Sequence, residues 1–180
     1  MTEKEIKLNT PLKKETAAAL KAGDKVLLSG VIYTMRDKAH KLITDLIKEN
    51  KPLPFPLSGS VVYYCGATQT KPGEVFGSCG PTSSVRMDAY TPLLLENGMT
   101  GMIGKGDRTP AVYEAIKKHG AVYFAAIGGA AVFYKQFIKS AEIIAYPDLL
   151  SEAVYKLIVK DFPLIVAIDS FGNSIFAINV

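Results

Sequence analysis

The feature that most constrains the fold is an alternation along the chain. Short apolar, β-branched runs repeatedly give way to segments whose apolar residues recur at helical spacing. Residues 25–33 read as a strand with Gly30 inside it, and from 36 to 50 Ala39, Leu42, Ile43, Leu46 and Ile47 mark a helix that Thr34 is placed to cap. The pattern then predicts a strand over 61–64 and a helix that starts near 82–84 and ends at Asn97-Gly98. A strand over 99–103 follows, then a helix opened by Thr109-Pro110 and closed by His119-Gly120. Beyond it come a strand over 121–126, a helix running into Phe137, a strand over 140–146 and a short helix over 148–156. Residues 15–21 predict a short helix after an extended lead-in, and 162–178 predict two strands joined by a turn at Ser170-Phe171-Gly172-Asn173. Strands alternating with helices imply an α/β fold, a mostly parallel sheet with antiparallel additions.

With 180 residues, 48% of them hydrophobic and 21% charged, the chain reads as one domain over 1–180 with a sizeable core. Its net charge of +4 is scattered without a Lys/Arg-rich stretch, which argues against nucleic-acid binding. Met1-Thr2-Glu3-Lys4-Glu5 leads into no apolar signal region, and the longest weakly polar stretch, 121–133, is broken by Gly128-Gly129. A cytoplasmic protein without a membrane anchor is the expectation. Cys65, Cys79, His40 and His119 are too few and too scattered for a metal or iron–sulfur site of the chain's own, which usually takes three or four thiolates or imidazoles. Any such cofactor is expected from a partner.

Three strand-to-helix junctions carry cations: Arg36, Arg86 after Gly80-Pro81-Thr82-Ser83-Ser84, and Lys105 with Arg108 around Gly104-Lys105-Gly106-Asp107-Arg108. Helix N-termini already carry about half a positive charge, so cations there are unfavourable unless an anion is close. The carboxyl ends of strands in an open α/β sheet are also where ligands bind. One crevice holding a small multivalent anion accounts for all three; the alternative is local pairing with Asp37, Asp88 or Asp107. Within 77–88 the glycines admit close backbone approach, the hydroxyls can bond carboxylate oxygens, and Thr82 and Arg86 stand four apart on one helix face. Gly104-Lys105-Gly106 lacks the Ser/Thr that a phosphate loop places after its lysine, and Thr109 stands where a dinucleotide fingerprint needs glycine. His40, four residues after Arg36, faces either the crevice or the core edge, whereas His119 suits a helix C-terminus. Cys79 reads as a small buried thiol or a ligand contact, and Cys65 as a core-edge residue. The long polar segment 66–80 is a candidate mobile or interfacial loop.

Four ordered motifs resemble a known family: Thr34-Met35-Arg36-Asp37-Lys38-Ala39-His40, Gly80-Pro81-Thr82-Ser83-Ser84-Val85-Arg86-Met87-Asp88, Gly104-Lys105-Gly106-Asp107-Arg108 and Ala126-Ile127-Gly128-Gly129-Ala130-Ala131. Together with Asp161-Phe162-Pro163-Leu164-Ile165-Val166 they look like the β subunit of class I, iron–sulfur-dependent fumarate hydratases and their L-tartrate dehydratase relatives. The resemblance implies a swivelling β/β/α domain that in single-chain members forms the C-terminal part. In two-subunit members, which this length suggests, an α subunit holds a 4Fe-4S cluster, and pairs of heterodimers would form a heterotetramer. It implies hydration of fumarate to (S)-malate, with Arg36, Arg86 and Lys105 as substrate-binding cations. Thr82 and Lys105 would be catalytic, Thr82 moving a proton at the carbon beside a carboxylate. Asp37, His40 and Asp107 would stand behind them. The Lys105-Gly106-Asp107-Arg108 form lies nearer the fumarase side than the tartrate side. L-Tartrate dehydration and a non-catalytic dicarboxylate-binding domain are the rival readings.

Overall fold

The structure is a computed structural model describing residues 5–176. Its longest-paired strands are β2 (Lys25–Thr34) and β7 (Val154–Ile168), which run antiparallel along most of their length. Between them in the chain come α2 (Asp37–Lys48), β3 (Val61–Tyr63), a 3-10 turn (Ser84–Met87) and α3 (Thr91–Glu96). These are followed by β4 (Gly101–Gly104), α4 (Pro110–His119), β5 (Val122–Ala125), α5 (Ala131–Lys135), β6 (Ile138–Ala145) and a second 3-10 segment (Pro147–Glu152). Ahead of β2 lie β1 (Ile6–Asn9) and α1 (Lys14–Ala18).

The seven strands form one sheet in the order β1-β2-β3-β4-β5-β7-β6, and the added β2–β7 pairing closes β2, β3, β4, β5 and β7 into a small barrel. Pairings from β1 through β5 are parallel, whereas every pairing of β7 is antiparallel. The sheet is therefore mixed rather than mostly parallel. The reason is β7, which serves two edges. Asp161 in its middle takes a left-handed φ of 51° and bends it, so that its first half lies beside β6 and its second beside β5.

That bend also explains two differences from the sequence reading. Residues 154–156, expected to end a helix, begin β7, and the helix shrinks to the 3-10 segment Pro147–Glu152. Instead of two strands over 162–178 there is the end of β7, a turn in which Asp169 accepts from the Phe171 and Asn173 backbone N–H groups, and a single bridge from Ile168 to Ser174; residues 177–178 lie outside the described residues. The helix expected from 82–84 to 97 is split, because Pro92 fits only the first turn of a new helix, α3. Thr34 does not cap α2. Its hydroxyl donates to the Ala153 carbonyl and accepts from the Tyr155 N–H, tying β2 to β7.

Gly30 bends β2 without ending it. It takes φ +111°, a Cβ there would stand 2.4 Å from Thr10 Oγ1, and the β2–β7 register shifts between Leu28 and Gly30. Alternate residues of the sheet enter two cores. Val61, Tyr63, Ile103, Val122, Phe124 and Phe162 pack in one, while Val62, Tyr64, Met102, Tyr123 and Ala167 pack with α2, α3 and α4 in the other. Both faces are covered, which is why the strands read as continuous apolar runs rather than alternating ones.

Candidate functional site

The carboxyl ends of the parallel strands β2 to β5 carry the junctions singled out in the sequence. Arg36 follows β2 as the residue before α2, in extended backbone (φ −121°) and without a side-chain cap of its own. Arg86 lies on the 3-10 turn after β3. Its Nε and Nη2 donate to the two oxygens of Asp37 at 2.9 and 2.8 Å, a bidentate pair with half the arginine side chain in solvent. The same carboxylate lies 3.8 Å from Arg36 Nε, so one aspartate stands between two arginines. Arg36 is held loosely: its Nη2 is 3.7 Å from Glu152 Oε1, and its Nε is buried with no hydrogen-bond acceptor among the described residues. A buried, charged N–H without an acceptor is costly, and an incoming carboxylate would relieve that cost.

Thr82 and Lys105 are drawn to the same place by backbone pairing. The Thr82 N–H donates to the Tyr64 carbonyl at 2.6 Å, Ser83 and Lys105 form a parallel bridge, and the Ser84 N–H donates to the Lys105 carbonyl at 3.0 Å. Gly104 makes this fit possible, since a Cβ there would stand 1.9 Å from Ser84 Oγ. The exposed Lys105 side chain runs past Gly128 in the β5–α5 loop, and its ammonium makes no ion pair among the described residues. Ion pairs thus join Arg36 and Arg86 through Asp37, and backbone pairing brings the Lys105 backbone beside Ser83 and Ser84, next in the chain to Thr82. A cavity of about 550 Å³ lined by Ala67, Thr68, Ile143, Leu150 and Tyr155 lies under the 66–80 loop, but none of the three cations lines it. That loop is pinned at its neck, where the Thr68 N–H donates to the Ser78 carbonyl and the Ser78 N–H to the Thr68 hydroxyl.

Other predicted residues stand apart from these groups. Arg108 is fully buried, with Nε 2.7 Å from Asp88 Oδ1, Nη2 bonded to the Thr91 hydroxyl, and its guanidinium over the Tyr64 and Tyr123 rings. The anion at the start of α4 is therefore Asp88, whose other oxygen accepts from the Thr109 N–H at 2.6 Å; the local-pairing alternative holds for Arg108, as it does for Arg86 and Arg36 with Asp37, and Lys105 is the cation among these that makes no ion pair among the described residues. Asp107 accepts from the Arg108 N–H and the Tyr113 hydroxyl. His40 lies wholly in the core against Tyr64 and Tyr90, its Nδ1 2.9 Å from the Arg36 carbonyl. Burial lowers its pKa to about 4, so at neutral pH it is an uncharged donor to that carbonyl. Both thiols are buried; burial pushes Cys79 up to about 12 and Cys65 well above its ordinary value. Among the described residues no three His, Cys, Asp or Glu side chains are placed to hold a metal, so these residues do not fit an iron–sulfur cluster, which binds thiolates. Sequence reasoning missed Glu152, the partner of Arg36, having set it inside a helix with no assigned role. It also missed Tyr123, hidden in a strand that reads as plain core.

The family model described as "Fumarase C-terminus" matches residues 1–179. The chain belongs to this family. It is 39% identical over 175 residues to the "Fumarate hydratase class I, anaerobic" of Escherichia coli, covering 95% of this chain and 32% of that protein. It is also 36% identical over 180 residues to "Fumarate hydratase 2" of Leishmania major, covering 98% of this chain and again 32% of the relative. A third relative is the "Putative L(+)-tartrate dehydratase subunit beta" of Methanocaldococcus jannaschii, 39% identical over 171 residues, with 92% of this chain and 88% of that protein covered. The fumarase C-terminal chain thus spans about a third of the fumarate hydratases it matches and most of the tartrate dehydratase subunit. These relatives are named as fumarate hydratases and a tartrate dehydratase subunit. No helix among the described residues is long and apolar enough to cross a membrane.

Proposed function

We propose that this fumarase C-terminal chain is the β subunit of a cytoplasmic class I fumarate hydratase. It would supply the dicarboxylate-binding side of a site completed by an α subunit that carries the 4Fe-4S cluster, in a heterotetramer of two α and two β chains whose β domain swivels against its partner. The observation that carries this reading is the Arg36–Asp37–Arg86 cluster beside Lys105 and Thr82, with Arg36 Nε buried and without an acceptor. Two arginines meet two carboxylates there, Lys105 adds a cation with no ion pair among the described residues, and a dicarboxylate offers planar, bidentate acceptors of the geometry that arginine forks bind best.

In the hydration of fumarate a hydroxyl adds to one carbon and a proton to its neighbour beside the other carboxylate; dehydration removes both. The charge that develops on that carboxylate as the proton leaves is stabilised by cations already in place, here Arg86 and Lys105. Thr82 would carry the proton at its Oγ. A threonine hydroxyl is too weak a base alone, so the transfer draws on the field of Arg86 and Lys105 or on a carboxylate of the partner. The cluster, when present on the α subunit, supplies Lewis-acid chemistry at the substrate hydroxyl.

The test is anaerobic co-expression with the α subunit and assay of fumarate hydration by wild type, Lys105→Ala and Arg86→Ala. Activity that requires both chains and falls by on the order of a hundredfold or more in the variants, with the complex intact, supports the shared site. Variants as active as wild type refute it. The 39% identity to the tartrate dehydratase subunit supports a second reading, the same chemistry on L-tartrate. Relative rates on malate, fumarate and tartrate decide between the two, and dicarboxylate binding by the isolated chain with no activity in any complex would mark a binding domain.

A further inference from the structure

Lys105 sits at the start of a turn whose geometry is set from below. The Tyr123 side chain, fully buried on β5, donates its hydroxyl proton to the Gly106 carbonyl at 2.8 Å. With that proton committed, the Tyr123 oxygen accepts from the hydroxyl of Ser84, 2.9 Å away and also fully buried. The Ser84 N–H in turn holds the Lys105 carbonyl, which closes a ring of hydrogen bonds from β5 through the 3-10 turn to the residues on either side of the Lys105–Gly106 peptide. The ring is rigidly seated. Arg108 lies 4.9 Å above the Tyr123 ring and is itself clamped by Asp88 and Thr91. Gly104 leaves the space that Ser84 Oγ fills, and Gly106 completes the turn at φ +76°.

From this geometry we infer that the buried Ser84–Tyr123 hydroxyl pair is a positioning device for Lys105, fixing where its ammonium stands relative to Thr82 and Arg86. Neither hydroxyl reaches the open surface. They act through the backbone of the turn: the Tyr123 hydroxyl holds the Gly106 carbonyl and the Ser84 hydroxyl holds the Tyr123 oxygen, while the Ser84 backbone N–H holds the Lys105 carbonyl, so that the lysine stem leaves toward Gly128. The catalytic consequence rests on the hydratase reading; the positioning of Lys105 does not.

The first experiment is therefore independent of activity. The full chain is reductively methylated with 13C-formaldehyde, and the Lys105 signal is assigned by its loss in Lys105→Arg. Tyr123→Phe and Ser84→Ala are expected to shift and broaden that signal while lysines on other faces, such as Lys41 and Lys117, keep theirs. A Lys105 signal that stays in place in both folded variants, or one that moves no more than those of Lys41 and Lys117, overturns the inference. Ser84→Ala is the safer second variant, since it only deletes an oxygen.

The second experiment is a double-mutant cycle in the complex with the α subunit, read as the dissociation constant of succinate, an unreactive dicarboxylate. Tyr123→Phe is expected to weaken binding about fivefold when Lys105 is present and less than about twofold in a Lys105→Ala background. Equal losses in both backgrounds overturn a role through Lys105. A wild-type complex that neither binds succinate nor hydrates fumarate refutes the functional reading, while the methyl signals still decide the positioning.

Discussion

His40 ties stability to pH in a way that can be worked out from its surroundings. Its imidazole is fully buried, packs on Tyr64 and Tyr90, and gives its Nδ1–H to the Arg36 carbonyl. Burial dominates and brings the folded pKa to about 4 from 6.5; the Arg36 carbonyl and Asp37 favour the charged ring, and Arg108 opposes it. Between pH 6.5 and 4 the unfolded chain binds this proton and the folded chain does not, so stability falls as pH falls through that window. Going from pH 7 to pH 5, the linkage integral for these two pKa values is about 2 kcal/mol. The perturbation is His40→Asn, whose amide can offer an N–H to the same carbonyl and does not titrate. Urea unfolding of both proteins at pH 7, 6 and 5 is the assay. His119 and every carboxylate are common to the two and cancel in the difference. The wild type is expected to lose about 2 kcal/mol more than the variant between pH 7 and 5. Parallel losses would refute the assignment of a neutral, buried His40.

Further predictions follow from other sites. Arg108→Met leaves Asp88 buried without its cation and should cost about 3–5 kcal/mol by urea unfolding, and Asp88→Asn, whose NH2 must face either the Arg108 Nε–H or the Thr109 N–H, should cost a comparable amount. Gly30→Ala should destabilise by about 1–3 kcal/mol through its φ of +111°. Adding Thr10→Ala should not restore stability, because the Thr10 backbone N still stands 3.2 Å from the new Cβ. Arg86→Ala, with its exposed pair to Asp37, should change the melting temperature by only a few degrees while abolishing most dicarboxylate binding, read by calorimetry on the complex.

The alternation of periodicities made most elements legible, because both faces of the sheet are covered and each helix buries an apolar stripe. What it left out is long-range. Nothing local in residues 154–168 shows that one strand will serve two edges of a barrel, and the bend at Asp161 together with Pro163 makes the segment read as separate pieces. The split of the 82–97 helix has a local sign, Pro92, whose weight depends on where the preceding turn is anchored, in this case by the Ser84 and Arg108 contacts. Thr34 reads as a cap from its neighbours along the chain but bonds across to β7, more than a hundred residues away.

Within the candidate site, sequence lists cations and magnitudes sort them. Arg36, Arg86 and Arg108 all stand near a strand-to-helix junction beside an aspartate, and nothing in their spacing tells them apart. Burial and partners do. The Arg108–Asp88 pair is dry, and breaking it leaves a charge stranded in the core at a cost of about 3–5 kcal/mol, so no substrate can afford to recruit that arginine. The Arg86–Asp37 pair is half in water, where such contacts contribute only about 0–1 kcal/mol, so a carboxylate can displace or share it cheaply. Arg36 goes further, since its buried Nε has no acceptor to give up. An anion arriving at this surface can therefore pair with Arg86 and with the exposed part of Arg36, and gains nothing at Arg108. The same accounting makes Asp37 the hinge of the site: by sitting between two arginines it keeps both close without neutralising either fully, and Asp37→Asn should weaken dicarboxylate binding by releasing them rather than tighten it by removing a competing charge.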